Sequence, residues 1–289
     1  MPATHPLRSP GTARPGWMPR DPGILPFLAL LGMYGATALL AQVIAPYDAG
    51  AQNLSRIFEP PLSEGHLLGT DNLGRDILSR VIVGTRISMG VGFAAVVLSG
   101  TLGTLLGLFS GYLGGAIDDL TNWLVNVQLA FPFVLLAISV VVVLGPSLQN
   151  MILVLTIAGW PVYLRVVRSK VLLLRETEYV EAAIACGARR GRVIFTHILP
   201  NLLSSLIVLA TIEVARMVIA EAALSFLGLG PADADYSSWG VMLAEGKNYM
   251  TVGWWLAVIP GLAIMTLVLT VNIVGDWLRD RLDPRLRTD

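Results

Sequence analysis

Residues 178–201 read EYVEAAIACGARRGRVIFTHILPN. The stretch holds Glu178, Glu181, Arg189, Arg190, Arg192 and His197, in a chain of which only 14% of residues are charged. Two apolar runs flank it. Tyr179, Ala182, Ala183 and Cys186 recur at i, i+3, i+4 and i+7, which is one face of a helix. Thr177 stands where a helix is capped, and Glu178 and Glu181 fall in the first turn, where acids suit the helix dipole. Gly187 suits the stop. The spacing predicts a helix of about nine residues, a Gly turn and a second helix through Arg192, Ile194 and Ile198 to Pro200, where the next apolar run begins. So short a helix is marginal alone in water. Its face of small residues lets another surface approach closely, so it reads as a helix built to dock.

The rest of the chain sets that helix in a membrane. The 289 residues are 54% hydrophobic, with a mean hydropathy of +0.68, more apolar than a soluble domain of this length sustains. A spanning helix needs ~20 mostly apolar residues. Six runs qualify: Ile24–Ala45, Ile87–Phe109, Leu120–Leu144, Met151–Val167, Leu202–Leu224 and Leu256–Trp277. Pro132 and Pro161 should kink the third and fourth. The Pro-rich tail 1–23 is expected to be disordered, and the first apolar run is too long for the core of a cleavable signal peptide. Between Gly74 and Arg86, Ile77, Leu78, Val81 and Ile82 share a helical face, which predicts an amphipathic helix on the outer surface.

Charge gives orientation and removes several functions. The tail, Gly111–Asp119, Arg168–Pro200 and the C-terminus hold most of the 20 Lys plus Arg, which predicts both termini in the cytoplasm. Zero net charge gives no footprint for nucleic acid. The single Cys186 and the scattered His5, His66 and His197 offer no disulfide and no metal spacing. A phosphate-cradling loop needs Gly, four residues and Gly-Lys-Ser/Thr. Gly246-Lys247-Asn248 lacks the hydroxyl residue, and Gly240 lies one position too far away. The chain therefore carries no ATPase site of its own. Polar groups inside spans are costly. Glu213 and Arg216, three residues apart, and Asn126 are expected either to line a translocation cavity or to hold helices or a sister subunit together.

EAAIACGARRGRVIFTHILP, residues 181–200, resembles the EAA loop of ABC-importer permeases, with Glu181, Ala182, Ala183, Gly187, Ile198, Leu199 and Pro200 at the motif positions. HLLGTDNLGRDILSRVIVGTRIS from His66, LAFPFVLLAI, EAALSFLGLG, SSWGVML and GDWLRDRLDPR resemble further blocks of the dipeptide/oligopeptide/nickel permease family, and fit the smaller, second permease of a pair. The resemblance implies an all-α integral membrane protein with six transmembrane helices in the type I ABC importer permease fold. It divides the chain into the tail (1–23), a first helix (24–45), an extracytoplasmic loop with the amphipathic helix (46–86), a permease core (87–278) containing the coupling loop at about 176–200, and a cytoplasmic tail (279–289). It also implies a bacterial inner-membrane importer of peptides, or of nickel or another small solute. The partners would be a sister permease, two ATPase subunits that bind ATP and Mg, an extracytoplasmic solute-binding protein and lipid. No cofactor would be held by this chain. Glu181, Ala182, Ala183, Gly187, Tyr179 and Pro200 would couple it to the ATPases. A channel or secondary transporter is the more distant reading.

Overall fold

The computed structural model describes residues 22–231 and 237–282. The expected disordered tail lies outside the described residues, apart from its last two. Five helices are long and apolar enough to cross a membrane: α1 (Leu25–Ile44), α2 (Ile77–Leu113), α5 (Leu148–Leu174), α7 (Arg190–Phe226) and α9 (Trp255–Leu282). The expected third span is broken. It forms α3 (Gly115–Leu129) and α4 (Phe133–Leu144), bent by 89° across Ala130–Pro132, and it makes a sixth crossing when the pair is counted as one. Proline forces the residue before it out of the helical region, so Phe131-Pro132 ends α3 rather than only kinking it. Two short helices complete the set among the described residues: α6 (Glu178–Ala185) and α8 (Trp239–Gly246).

α2 organises the rest. Asp76 caps it, with its carboxylate accepting from Ser79 N–H at 2.8 Å and Ser79 Oγ at 2.7 Å. Its 37 residues extend about 55 Å, well beyond a hydrocarbon layer of ~30 Å. The stretch expected as a separate surface helix is therefore the first turns of α2. It is also not amphipathic at a surface, since Ile77, Ser79, Arg80, Gly84 and Thr85 are all buried. Farther along, α2 lies against α5 at very short range. A Cβ added at Gly103 would press on the Trp160 carbonyl and sit 2.6 Å from Tyr163 Cβ, and one at Gly107 would sit 2.8 Å from Val167 Cβ. Small residues allow that approach where no hydrophobic effect drives helices together in lipid.

The fourth expected span is longer than its apolar core. Ser147 caps α5, accepting from Asn150 N–H at 3.2 Å, and the helix runs on to Leu174. α7 differs more. The second helix of the 178–201 segment does not stop before the next span but continues into it, through a π-helical turn at Val193–Ile198. Pro200 explains the turn: its ring would clash with the Thr196 carbonyl of a regular helix, and a widened turn relieves that contact. α9 runs through Pro260 to Leu282, so the expected C-terminal tail begins as helix, and the rest of it lies outside the described residues. Large aliphatic side chains such as Leu39, Val43, Val142 and Val143 are exposed on the bundle's flanks, a surface suited to lipid rather than water.

Candidate coupling loop and translocation cavity

α6 buries one side chain in the bundle and is otherwise largely open. Val180 is fully buried among Leu108, Val167, Val171, Val193, Ile194, Ile198 and Leu202, contributed by α2, α5 and α7. Tyr179, Glu181, Ala182 and Cys186 are exposed and Ala183 is half-buried, so the small-residue face points away from the core. Thr177 holds the N-cap position with extended backbone, and its carbonyl accepts from Val180 and Glu181 N–H. Its hydroxyl instead donates to the Leu174 carbonyl at 2.6 Å, so the side-chain cap expected from the sequence does not form. The far end is a Schellman closure. Ala188 N–H donates to the Ala183 carbonyl at 3.0 Å and Gly187 N–H to the Ile184 carbonyl at 2.9 Å, with Gly187 at φ +82°. Pro200 is exposed within α7, just after its π-helical turn, and Asn201 Nδ2 reaches the Tyr179 hydroxyl at 3.4 Å. Arg168, near the end of α5, makes a two-pronged contact with Asp118 of α3, at 2.5 and 2.6 Å.

A second feature sits where α3 breaks into α4. A cavity of about 450 Å³ opens there against α5 and α7, lined mostly by Phe, Leu, Val and Ala, with Gln128 and Arg216 as its polar groups. Arg216 Nη1 pairs with Glu213 Oε1 at 3.0 Å. The guanidinium side chain is 51% exposed and the carboxylate side chain 3%, so Arg216 faces the cavity and Glu213 holds it from behind. Asn126 does not join them. It is exposed on α3 and meets Arg165 Nη2 at 3.4 Å. Of the three residues expected to line a pathway, one lines this cavity, one supports it and one stands apart.

Gln128 has a further role that the sequence hid. Pro161 has no N–H, so the Ile157 carbonyl loses its helical donor. Gln128 Nε2 donates to that carbonyl, and Trp160 Nε1 donates to Gln128 Oε1 at 2.5 Å. The signal was present as a proline in a span and an amide in another, 33 positions apart.

The opposite end of the bundle from α6 carries a buried ionic cluster. Asp71 Oδ2 accepts from Arg75 Nε and Arg80 Nη1, each at 2.6 Å. Glu245 Oε2 of α8 accepts from the same two guanidinium groups at 2.9 and 2.7 Å. Ser237 Oγ accepts from Arg80 Nε at 3.1 Å. Nearby, Glu221 is wholly buried and accepts from Ser88 Oγ at 2.9 Å and Ser225 Oγ at 2.8 Å, joining α7 to α2. On the loop before α2, the hydrogen bond from Arg56 holds the Glu59 carboxyl below the ordinary carboxylate range. None of this cluster was singled out from the sequence. Asp71 and Glu245 are too far apart in the chain for local spacing to relate them.

Comparison with known proteins places this geometry. A family model described as binding-protein-dependent transport system inner membrane component matches residues 103–288. The chain is 43% identical to the dipeptide transport system permease protein DppC of Alkalihalophilus pseudofirmus over 266 residues, 90% of this chain and 87% of that one. It is 42% identical to the protein of the same description from Haemophilus influenzae, over 92% and 91% of the two chains. It is 41% identical to the glutathione transport system permease protein GsiD of Pectobacterium atrosepticum, over 88% and 84%. Among solved structures, an inward-facing MetNI methionine ABC transporter chain aligns with TM-score 0.57 and 21% identity, over 71% of this chain and 96% of that one, which speaks to the fold alone. The chain, a helical bundle of five or six crossings with an EAA-type loop exposed at one end, belongs to the family of binding-protein-dependent transport system inner-membrane components, the permeases of ABC importers.

Proposed function

We propose that this chain forms one half of the transmembrane pathway of an ATP-driven importer of short peptides in a bacterial inner membrane. The observation that carries the reading is α6, a helix whose one buried side chain is Val180 and whose small-residue face is turned outward. A helix so exposed and so short is suited to lie in a groove of another protein. Two ATPase subunits would take that place, binding ATP and Mg themselves, while this chain performs no catalysis. Glu181 supplies the polar contact, Ala182 and Ala183 the close approach, Gly187 the turn, and Tyr179 and Pro200 the brace to α7. A sister permease would complete the pathway, an extracytoplasmic binding protein would deliver the solute, and both termini would lie in the cytoplasm. The peptide assignment is supported by the names of the relatives and by the cavity, where Arg216 offers a cation to a carboxylate amid apolar walls.

The test is gentle affinity purification from native membranes, followed by reconstitution and measurement of ATP hydrolysis. Recovery of a second permease, ATPases and a binding protein, with hydrolysis stimulated by peptide-loaded binding protein, is the expected result. Recovery of the chain alone or as a homo-oligomer from membranes where it is active would overturn the reading.

A further inference from the structure

At the end of the bundle that carries α6, the ends of α5, α7 and α9 leave a cavity of about 740 Å³ between them. Its lining is part aliphatic, Leu209 among it, and part polar, with Lys170, Arg279, Ser204, Ser205 and Asn201. Among the described residues no carboxylate lines it. Lys170 Nζ, half-buried, donates to Ser205 Oγ at 2.6 Å, which uses one of its three donors. Among the described residues Arg279 has neither an ion-pair partner nor a hydrogen bond. Two cations thus face one recess beside the Ser204 and Ser205 hydroxyls, with no carboxylate lining it among the described residues.

Lys170 is half-buried and Arg279 exposed, so an anion held between them meets one partly desolvated cation, which it stabilises, and one at the mouth of the recess. The recess lies at the end of three spanning helices, at the level where a membrane presents its headgroups, and basic pockets between spans hold anionic lipid headgroups. Its aliphatic part gives an acyl chain a wall to lie against. We propose that this cavity binds the phosphate of an anionic phospholipid, with Lys170 and Arg279 as counter-charges and the Ser204 and Ser205 hydroxyls as hydrogen-bond partners. Asn201 lines the same cavity and reaches the Tyr179 hydroxyl of α6 at 3.4 Å, so the lipid would sit against the brace of the coupling loop. Binding rests on the cavity alone, whereas any effect on ATP turnover rests also on the importer reading.

The experiment is native mass spectrometry of the purified complex, exchanged into nanodiscs of phosphatidylglycerol or phosphatidylcholine, with inorganic phosphate as a competitor. The expected result is selective retention of phosphatidylglycerol. Lys170→Gln with Arg279→Gln should weaken it about 30-fold, and the charge-keeping pair Lys170→Arg with Arg279→Lys should preserve it. Each single Gln substitution should weaken it about 5-fold, which carries the test where the double variant does not assemble. Equal retention by the Gln variants overturns the proposal. So does indifference between the two lipids, and displacement by inorganic phosphate without any lipid preference would assign the cavity to a soluble anion instead.

Discussion

Replacing Asp71 by Asn removes one negative charge and puts an NH2 donor where Oδ2 accepted from Arg75 and Arg80, so it tests the value of the buried ionic cluster. Asp71 Oδ1 accepts from the backbone N–H of Leu73 at 2.8 Å and of Arg75 at 2.9 Å, and an amide oxygen keeps both bonds. The charge at Oδ2 and its two accepted hydrogen bonds are lost, and the Arg75 and Arg80 side chains facing it are 7% and 3% exposed. Breaking a buried pair costs ~3–5 kcal/mol. Glu245 still reaches both guanidinium groups, so roughly half of that is retained, and the expected loss is ~1.5–2.5 kcal/mol. Glu245→Gln removes the other carboxylate, whose side chain is 35% exposed. Water compensates it, and the expected loss is only about 1 kcal/mol. In melting temperature the first change should lower the midpoint by about 3–10 °C and the second by about 2–4 °C. The assay is thermal unfolding of the purified complex, followed by size-exclusion chromatography of the tagged chain. A midpoint for Asp71→Asn within ~2 °C of the parent, or a larger drop for Glu245→Gln, would refute the argument that burial sets the strength of these pairs.

Arg216→Met should destabilise the chain more than Glu213→Gln, because the first strands a buried carboxylate, at a cost of ~3–5 kcal/mol, while the second leaves a half-exposed, hydrated guanidinium. Both should reduce peptide uptake, and intact uptake by both variants in normally assembled complexes would dismiss Arg216 and Glu213 from the pathway. Gln128→Leu should cost ~1–3 kcal/mol by leaving the Ile157 carbonyl without a donor, read as a lower melting temperature that Gln128→Asn does not restore. Gly103→Val should cost ~1–3 kcal/mol by forcing α2 from α5, with a fall in assembled complex on a native gel. Gly187→Ala meets nothing within 4 Å, so its penalty of ~1 kcal/mol is purely that of a left-handed backbone, and peptide-stimulated ATP hydrolysis should fall more for Glu181→Ala than for Gly187→Ala.

What the sequence revealed and what it hid divide by distance along the chain. α6 was legible to within a residue because its signals are local: a four-residue periodicity, acids in the first turn and Gly187 after the last. The spans were legible because lipid demands ~20 apolar residues in a row. Errors arose where two local signals competed. The stretch between Gly74 and Arg86 looked like a surface helix because Ile77, Leu78, Val81 and Ile82 share one helical face, yet the other side is covered too, with Arg80 buried against Asp71 and Glu245. Leu120–Leu144 looked like one span because its hydropathy is continuous, yet Phe131-Pro132 turns it by 89°.

The same division explains why polar residues in this bundle were hardest to read. In water, an unpaired carbonyl or guanidinium has a partner everywhere, so its protein partner matters little. In lipid there is no substitute, and each such group must find a specific partner wherever the fold brings one near. Pro161 creates a need on α5 that Gln128 of α3 meets, and Arg216 a need on α7 that Glu213 meets one turn away. The second pair could be expected from a three-residue spacing, and the first could not. It follows that an out-of-place polar side chain in a span is best read together with the prolines and charges of every other span. By that reasoning Gln128 is first of all the donor that the interrupted ladder of α5 lacks, and Arg216 is the charged side chain that lines the cavity.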